Sequence, residues 1–488
     1  MSLFQKLFKQ TIIYGLATVL PRMLSFILVP VYTEIMPPGS YGEVTLIFAW
    51  FAIFNVFLAY GMETAFFRFY NTSENKPAVV STALISLLAS TFAFVGLALL
   101  LQQNVTAILN IDPRYISYVI AILALDALAI VPFAWLRARE LATRYAIVKI
   151  ANVGLNLGLN VFFLLLLPGL SESNPGTLLE RMYVPDFEIS YILISNLIAS
   201  GLTLIMMGGL YLRKTYVFDM ALWKKMLHYG LPVMIAGFAY TINEVFDRYL
   251  LTELLPADIA KSEMGKYSAC YRLALFMTLF ATAFRLGIEP FFFSHSSTEQ
   301  PEKAYAQITN YFVILGSIIL LAVVVFADLL KLIFIRDEAY WEAMAVVPVI
   351  VLASFCLGIY HNLSVWYKVT DRTRFGAYFS MIGALITILI NYFFIPEFGY
   401  YASAIATLAA YGTMMCLSYY YGRKYYPIPY NFRKICFYFS ISLIFAGLSF
   451  YIFNRNLVIG SLFLLVFLFL VYRMEIERLK KIFLNRMR

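Results

Sequence analysis

Charge is what this sequence lacks. Only 13% of its 488 residues are Asp, Glu, Lys or Arg, about half the share of a soluble globular domain, while 62% are hydrophobic and mean hydropathy is +0.78. A water-soluble globule is thereby excluded. Histidine and cysteine are scarce as well. His228, His295 and His361 are scattered, and Cys270, Cys356, Cys416 and Cys436 lie in apolar runs without a C-x-x-C pair, so neither a metal cluster nor a disulfide framework is expected. His361 reads as a structural hydrogen-bonding side chain rather than a catalytic one. No G-x-x-x-x-G-K-[ST] phosphate loop is present, which excludes an ATPase within the chain. Connections are short and offer neither D-x-D nor clustered histidine, so an enzyme is not expected and no cofactor is implied.

What is present is apolar sequence in blocks of about 20 residues, the length of a helix crossing roughly 30 Å of hydrocarbon, with no period-2 alternation that would indicate a barrel. The expectation is an all-α integral membrane protein with fourteen spans: 12–32, 44–66, 79–101, 115–136, 147–167, 189–212, 229–251, 267–293, 308–326, 343–366, 375–395, 402–421, 435–453 and 457–472. The first follows Lys6 and Lys9 but is too long for a signal peptide and lacks a small-residue cleavage site, so it is expected to stay in the mature chain. Lys and Arg accumulate on the cytoplasmic side of membranes. With both termini cytoplasmic, 26 of the 37 basic residues fall on the inner side. The net charge of +9 is then an inner-surface charge facing anionic lipid, with no nucleic-acid signature, and the tail "RMEIERLKKIFLNRMR" reads as a basic amphipathic helix on that surface.

The chain contains an internal repeat. "YGMETAFFRF" at Tyr60 is echoed by "LGIEPFFFSH" at Leu286, Trp135-Leu136-Arg137 by Trp366-Tyr367-Lys368, "NVFFL" at Asn160 by "NYFFI" at Asn391, and "VPDF" at Val184 by "IPEF" at Ile395. The offset rises from 215 at the first matching YGL to 231 and then falls to 211, because the first copy carries an extra loop at about 168–188. Spans 1–6 and 7–12 are therefore two copies of one unit. An even number of spans per copy makes them parallel, related by an axis along the membrane normal. The expected lobes are 1–215 and 216–427, with 428–488 carrying spans 13 and 14 and the basic tail.

Glu63 and Glu289 recur at the same point of both copies. They read either as helix-end carboxylates near the headgroups or as partners in an inner gate. Charges that break the symmetry carry more information: Arg22 maps to Gly237, Arg285 to Ala59 and Asp126 to Leu357. Arg22 and Asp126 each lie about eleven residues, or roughly 16 Å, into their spans. Two compatible readings stand side by side: Arg22 faces a cationic lumen together with Arg272 and Arg285, or it forms a structural ion pair with Asp126, itself a coupling candidate; Arg285 and Glu289, one helical turn apart in span 8, can instead simply pair with each other. In "INEVFDRYLL", Glu244 and Arg248 have the spacing of a helical i,i+4 pair, leaving Asp247 for another partner such as Arg272. These residues read as a gate-stabilising cluster or as simple helix pinning.

Asp247-Arg248 followed by "EMGKYSACYRL" resembles the D-R … G-x-Y-x-x-x-[YF]-R stretch of the Wzx-type polysaccharide flippases of the multidrug/oligosaccharidyl-lipid/polysaccharide exporter superfamily. "PVYTEIMPPGSYGEVTLI", from Pro30, is similar to that family's first helix pair, and the likeness runs over essentially the whole length. The resemblance implies flipping of a polyprenyl-diphosphate-linked oligosaccharide from the inner to the outer leaflet of a bacterial inner membrane. It also implies a cationic cavity, for which Arg22, Arg272 and Arg285 are available, and a polysaccharide polymerase or glycosyltransferases as partners besides the lipid bilayer. Arginine suits such a cavity, since its planar fork binds phosphate oxygens bidentately and stays charged. Two other readings remain: a MurJ-like flippase of the peptidoglycan precursor, which shares the architecture, and a cation-coupled MATE-like exporter, which should carry an acid in span 1 where this chain has Arg22.

Overall fold

The computed structural model describes residues 19–21, 23–24, 26–212, 216–294 and 300–486, and side chains among these except at 289–291, 293–294 and 476–486. Among the described residues the chain is helical, with no strand. The main helices are α1 (Leu28–Ile35), α2 (Pro38–Ala59), α3 (Met62–Thr72), α4 (Lys76–Leu100), α5 (Pro113–Ala138), α6 (Ala142–Val161), α7 (Glu188–Met207), α8 (Met220–Leu254), α9 (Ala257–Tyr271), α10 (Leu275–Ser294), α11 (Pro301–Val325), α12 (Val347–Leu363), α13 (Arg374–Phe398), α14 (Tyr400–Tyr425), α15 (Phe432–Gly447) and α16 (Leu457–Arg486).

Eleven helical stretches among the described residues are long and apolar enough to cross a membrane, and they match the expected spans 2–6, 8–11, 13 and 14. Span 1 falls mostly outside the described residues. Spans 7 and 12 form the continuous helices α8 and α14, of 35 and 26 residues, but are more polar than the eleven. Large apolar side chains such as Leu100, Ile205, Phe393 and Val458 stand exposed on the helix surfaces. Water would penalise that arrangement, whereas hydrocarbon does not.

The chain divides into two compact units, Met1–Ser268 with Thr387–Tyr400, and Ala269–Ile386 with Tyr401–Arg488. In the first, α7 packs on α5 and α6, and α8 packs along α2 and α3. Its apolar core includes Met62, Phe66, Val79, Leu84, Val131 and Met226. In the second, α11 packs against α12, α15 and α16, and α10 against α12. There Cys356, Tyr360, Trp366, Phe379, Tyr411 and Met414 form the core, so Cys356 is indeed a small buried hydrophobe.

Span 2 is not one helix. Tyr60 (φ 32) and Gly61 (φ 71) are both left-handed, which ends α2 and starts α3. Gly61 has two reasons to be glycine: the positive φ, and the Gly230 carbonyl of α8, which a Cβ would overlap. At the other end of α2, Gly42 and Gly265 face each other so closely that a Cβ on Gly265 would overlap the Pro38 carbonyl and one on Gly42 the Lys261 carbonyl. Two glycine contacts thus pin α2–α3 against α8 and α9. The repeat does not reproduce the break, since α10 runs through Gly287. That span is interrupted instead by one 3-10 turn, Arg272–Ala274.

The repeat is visible in local chemistry. Asn160 and Asn391 are both fully buried, and each donates its amide to the carbonyl four residues back, Asn156 at 2.8 Å and Thr387 at 2.7 Å. A buried amide left unbonded is costly, which accounts for the same residue in both copies.

Candidate functional site

Arg285 lies on α10, one turn beyond Ala281. At Ala281 the helix meets α12 at Gly358, where a Cβ would crowd both the Ala281 methyl and the Phe312 ring. That close crossing brings the next turns together: Arg285, Ile288 and Phe292 of α10 line a small cavity with His361, Asn362, Ser364, Val365 and Lys368. The cavity measures about 10 Å³, room for a single water. Arg285 and Lys368 both bear electrostatically on the His361 imidazole. Among the described lining residues none is acidic. Apolar packing of Phe292, Tyr305 and Val365 sits beside the cluster, with the Tyr305 hydroxyl donating to the Phe292 carbonyl at 2.8 Å. A guanidinium, an ammonium and an imidazole facing one space form an anion-binding arrangement.

Of the other residues singled out from sequence, Arg22 lies outside the described residues, as does the side chain of Glu289. Arg272 is exposed in its 3-10 turn. Glu63 forms an ion pair with Arg137 at the end of α5. It sits in the first turn of α3, where the helix dipole favours a carboxylate. Both partners are about four-tenths exposed, so the pair contributes at most about 1 kcal/mol. The repeat places Glu289 and Lys368 at the positions of Glu63 and Arg137.

Asp126 accepts a hydrogen bond from the Ser200 hydroxyl of α7 at 2.8 Å, with Lys149 of α6 as an electrostatic partner. Beside it, Asn152 donates to Thr203 at 3.0 Å. Asp126 therefore has structural partners without Arg22. Asp126→Asn, which keeps an acceptor for Ser200, is expected to hold the thermal unfolding midpoint of the purified protein, while Asp126→Leu should cost about 1–3 kcal/mol. An unchanged midpoint in Asp126→Leu would remove the structural role.

Asp247 is 3% exposed and fully engaged within the first unit. One carboxylate oxygen accepts from the Arg248 guanidinium at 2.7 Å and from the Arg248 main-chain N–H at 3.0 Å, and the other accepts from the Tyr267 hydroxyl at 2.9 Å. Arg248 also donates to the Glu244 main-chain carbonyl. Arg248 thus reaches the backbone of Glu244, and Asp247's partners are Arg248 and Tyr267. Packing accounts for four residues of the motif that carried the family resemblance, but not for the exposed Arg272: Asp247, Arg248 and Tyr267 form one buried network, and Gly265 allows α9 to touch α2.

Sequence reasoning missed His361 and Lys368 as companions of Arg285. Lys368 had a signal, being the repeat counterpart of Arg137. His361 had none.

The chain is thus a helical membrane protein with a small cationic cavity. The sequence model of the polysaccharide biosynthesis protein family matches residues 7–285, more than half of the chain, and the chain belongs to that family. The MatE family model matches residues 232–393. Among solved structures, the lipid II flippase MurJ in an inward closed conformation is similar over 95% of this chain and 100% of its own, at 15% identity and a TM-score of 0.74. An inward-facing multidrug resistance MATE transporter is similar over 82% of this chain and 93% of its own, at 15% identity and a TM-score of 0.63. A transporter from Pyrococcus furiosus, described as having a binding pocket of reversed polarity, is similar over 86% and 95%, at 14% identity and a TM-score of 0.59. No curated protein matches by sequence. Together these place the chain in the multidrug/oligosaccharidyl-lipid/polysaccharide exporter superfamily.

Proposed function

We propose that the chain flips a polyprenyl-diphosphate-linked oligosaccharide from the inner to the outer leaflet of a bacterial inner membrane, for cell-surface polysaccharide synthesis. The observation that carries the reading is the convergence of Arg285, His361 and Lys368 on one cavity. A diphosphate cannot cross hydrocarbon unaided, because desolvating its charges costs tens of kcal/mol in an idealised dry medium. Arg22 and Arg272 complete the cationic path in this reading, the two repeats are the two lobes that alternate around it, and both termini face the cytoplasm. Outward movement of the negative headgroup gains about 2.3 kcal/mol per charge per 100 mV in a cell negative inside.

The test is accumulation of lipid-linked oligosaccharide on the inner leaflet, with membrane abundance checked by blot. Arg285→Ala is expected to lower flipping about 10- to 100-fold by removing a charge-assisted fork, and Arg285→Lys to retain part of it. Full flipping by Arg285→Ala at normal abundance refutes the site. A peptidoglycan-precursor flippase is the second reading, favoured by the full-length likeness to MurJ. Depletion of the protein separates the two: accumulation of the peptidoglycan precursor instead of a surface-polysaccharide intermediate selects the second.

A further inference from the structure

A second, larger cavity lies where α14 ends and α15 begins, and its lining residue Ile428 packs against the Phe292–Tyr305–Val365 cluster beside the Arg285 cavity. It measures about 600 Å³ and is lined by Tyr419, Arg423, Pro427, Ile428, Pro429, Tyr430 and Phe432. This is within the size range of small-molecule pockets. The residues that build it explain why it stays open. The short link is turned twice: the Tyr430 N–H donates to the Ile428 carbonyl at 2.8 Å and the Phe432 N–H to the Tyr430 carbonyl at 2.9 Å, while Pro427 and Pro429 fix two of its φ angles. Tyr419 packs its ring against Tyr430 at 6.2 Å and stacks on Phe432 at 5.8 Å, so the aromatic wall is self-supporting. Asn431 caps α15 by accepting from the Lys434 N–H at 3.1 Å, which sets the positive end of that helix beside the pocket.

The charges are asymmetric. Lys434 is occupied by Glu475 of α16, which also accepts from the Tyr438 hydroxyl at 2.9 Å. Arg423 is exposed, lines the cavity and meets no carboxylate among the described residues, and Arg433, next in sequence to the lining residue Phe432, is exposed as well. With the termini cytoplasmic, this link faces the inner leaflet.

We propose that this cavity binds the phosphate headgroup of an anionic glycerophospholipid of the inner leaflet, held by the Arg423 guanidinium, with the aromatic and proline wall against the glycerol and upper acyl chains. A phosphate matches the planar fork bidentately. Half-buried Tyr419 and Tyr430 beside the exposed Phe432 suit a ligand polar at one end and apolar at the other. The bound lipid fills the foot of the junction between α14 and the α15–α16 pair and so bridges them. The site shares no lining residue with the Arg285 cavity and does not depend on what the chain transports.

The test is native mass spectrometry of the full-length protein released from nanodiscs containing phosphatidylglycerol and phosphatidylcholine. Wild type is expected to retain one phosphatidylglycerol in preference to phosphatidylcholine. Arg423→Gln should weaken that retention about tenfold, the equivalent of one lost charge-assisted contact. Arg423→Lys should retain part of it, and Arg144→Gln, which removes an exposed basic residue elsewhere, should leave it unchanged. Equal retention by wild type and Arg423→Gln overturns the proposal, as does equal retention of phosphatidylcholine or an equal loss in Arg144→Gln. Polyprenyl diphosphate that displaces phosphatidylglycerol from wild type but does not bind Arg423→Gln assigns the cavity to that lipid and overturns the phospholipid assignment.

Discussion

Gly265→Ala is expected to cost about 3 kcal/mol, the top of the usual range for overpacking, and to sharply reduce the folded protein recovered from membranes. The methyl group would have to occupy the space of the Pro38 carbonyl, an atom of the main chain with no rotamer to yield, and the Gly42 N–H lies just beyond it. Relief requires α9 to back away from α2, which also disturbs Tyr267, two residues on, and with it the Asp247 network. Gly154→Ala is the control: its Cβ would meet nothing within 4 Å, so the exchange should be neutral or stabilise by up to about 1 kcal/mol from helix propensity. Thermal unfolding of both variants in the same detergent decides the matter. A Gly265→Ala midpoint equal to that of Gly154→Ala would show that the α2–α9 contact gives way freely.

Asp247→Ala should be at least as damaging, at about 3–5 kcal/mol, because it leaves a guanidinium that is only 8% exposed without its neighbouring carboxylate. The Tyr267 hydroxyl, on a side chain with no exposed surface, loses its acceptor at the same time. The informative comparison is the double variant Asp247→Leu with Arg248→Leu. Removing both charges together should recover most of the loss, since an apolar pair avoids the desolvation that the ion pair requires. Unfolding midpoints for the single and double variants measure this. A double variant as unstable as Asp247→Ala would mean that the network is needed for its shape and not only for charge balance.

The membrane architecture was legible because the bilayer enforces it: blocks of about 20 apolar residues have few other uses, and most expected spans coincide with described helices. The repeat was legible for the same reason that Asn160 and Asn391 are both buried, since a polar residue kept at equivalent depth in two apolar helices marks a shared hydrogen bond. Side-chain partners were less legible. Glu63 and Arg137 are 74 residues apart, and nothing in either segment announces the other. Asp247 illustrates a further limit: the sequence offered Arg272 as its partner beyond the helix, whereas its carboxylate accepts from the adjacent Arg248 and from Tyr267 of α9. The break at Tyr60–Gly61 escaped notice because the apolar run continues through it, and hydropathy does not register a backbone dihedral. Arg285 stood out as a charge without a copy, but its companion His361 emerged only from the crossing at Gly358.

The same break has a consequence for depth. α2 has 22 residues, about 33 Å of helix at 1.5 Å per residue, so it can cross the hydrocarbon layer unaided. The start of α3 carries no side-chain cap, and main-chain groups left open in hydrocarbon cost several kcal/mol each. The boundary between acyl chains and headgroups should therefore pass near Tyr60 and Gly61, with α3 and its Arg68, which lies over the Tyr229 ring at 4.4 Å, in the wetter layer beyond. Glu63 and Arg137 are then immersed among headgroups and water rather than in oil, which is why two charges that are only partly shielded can persist at the ends of helices in so apolar a chain.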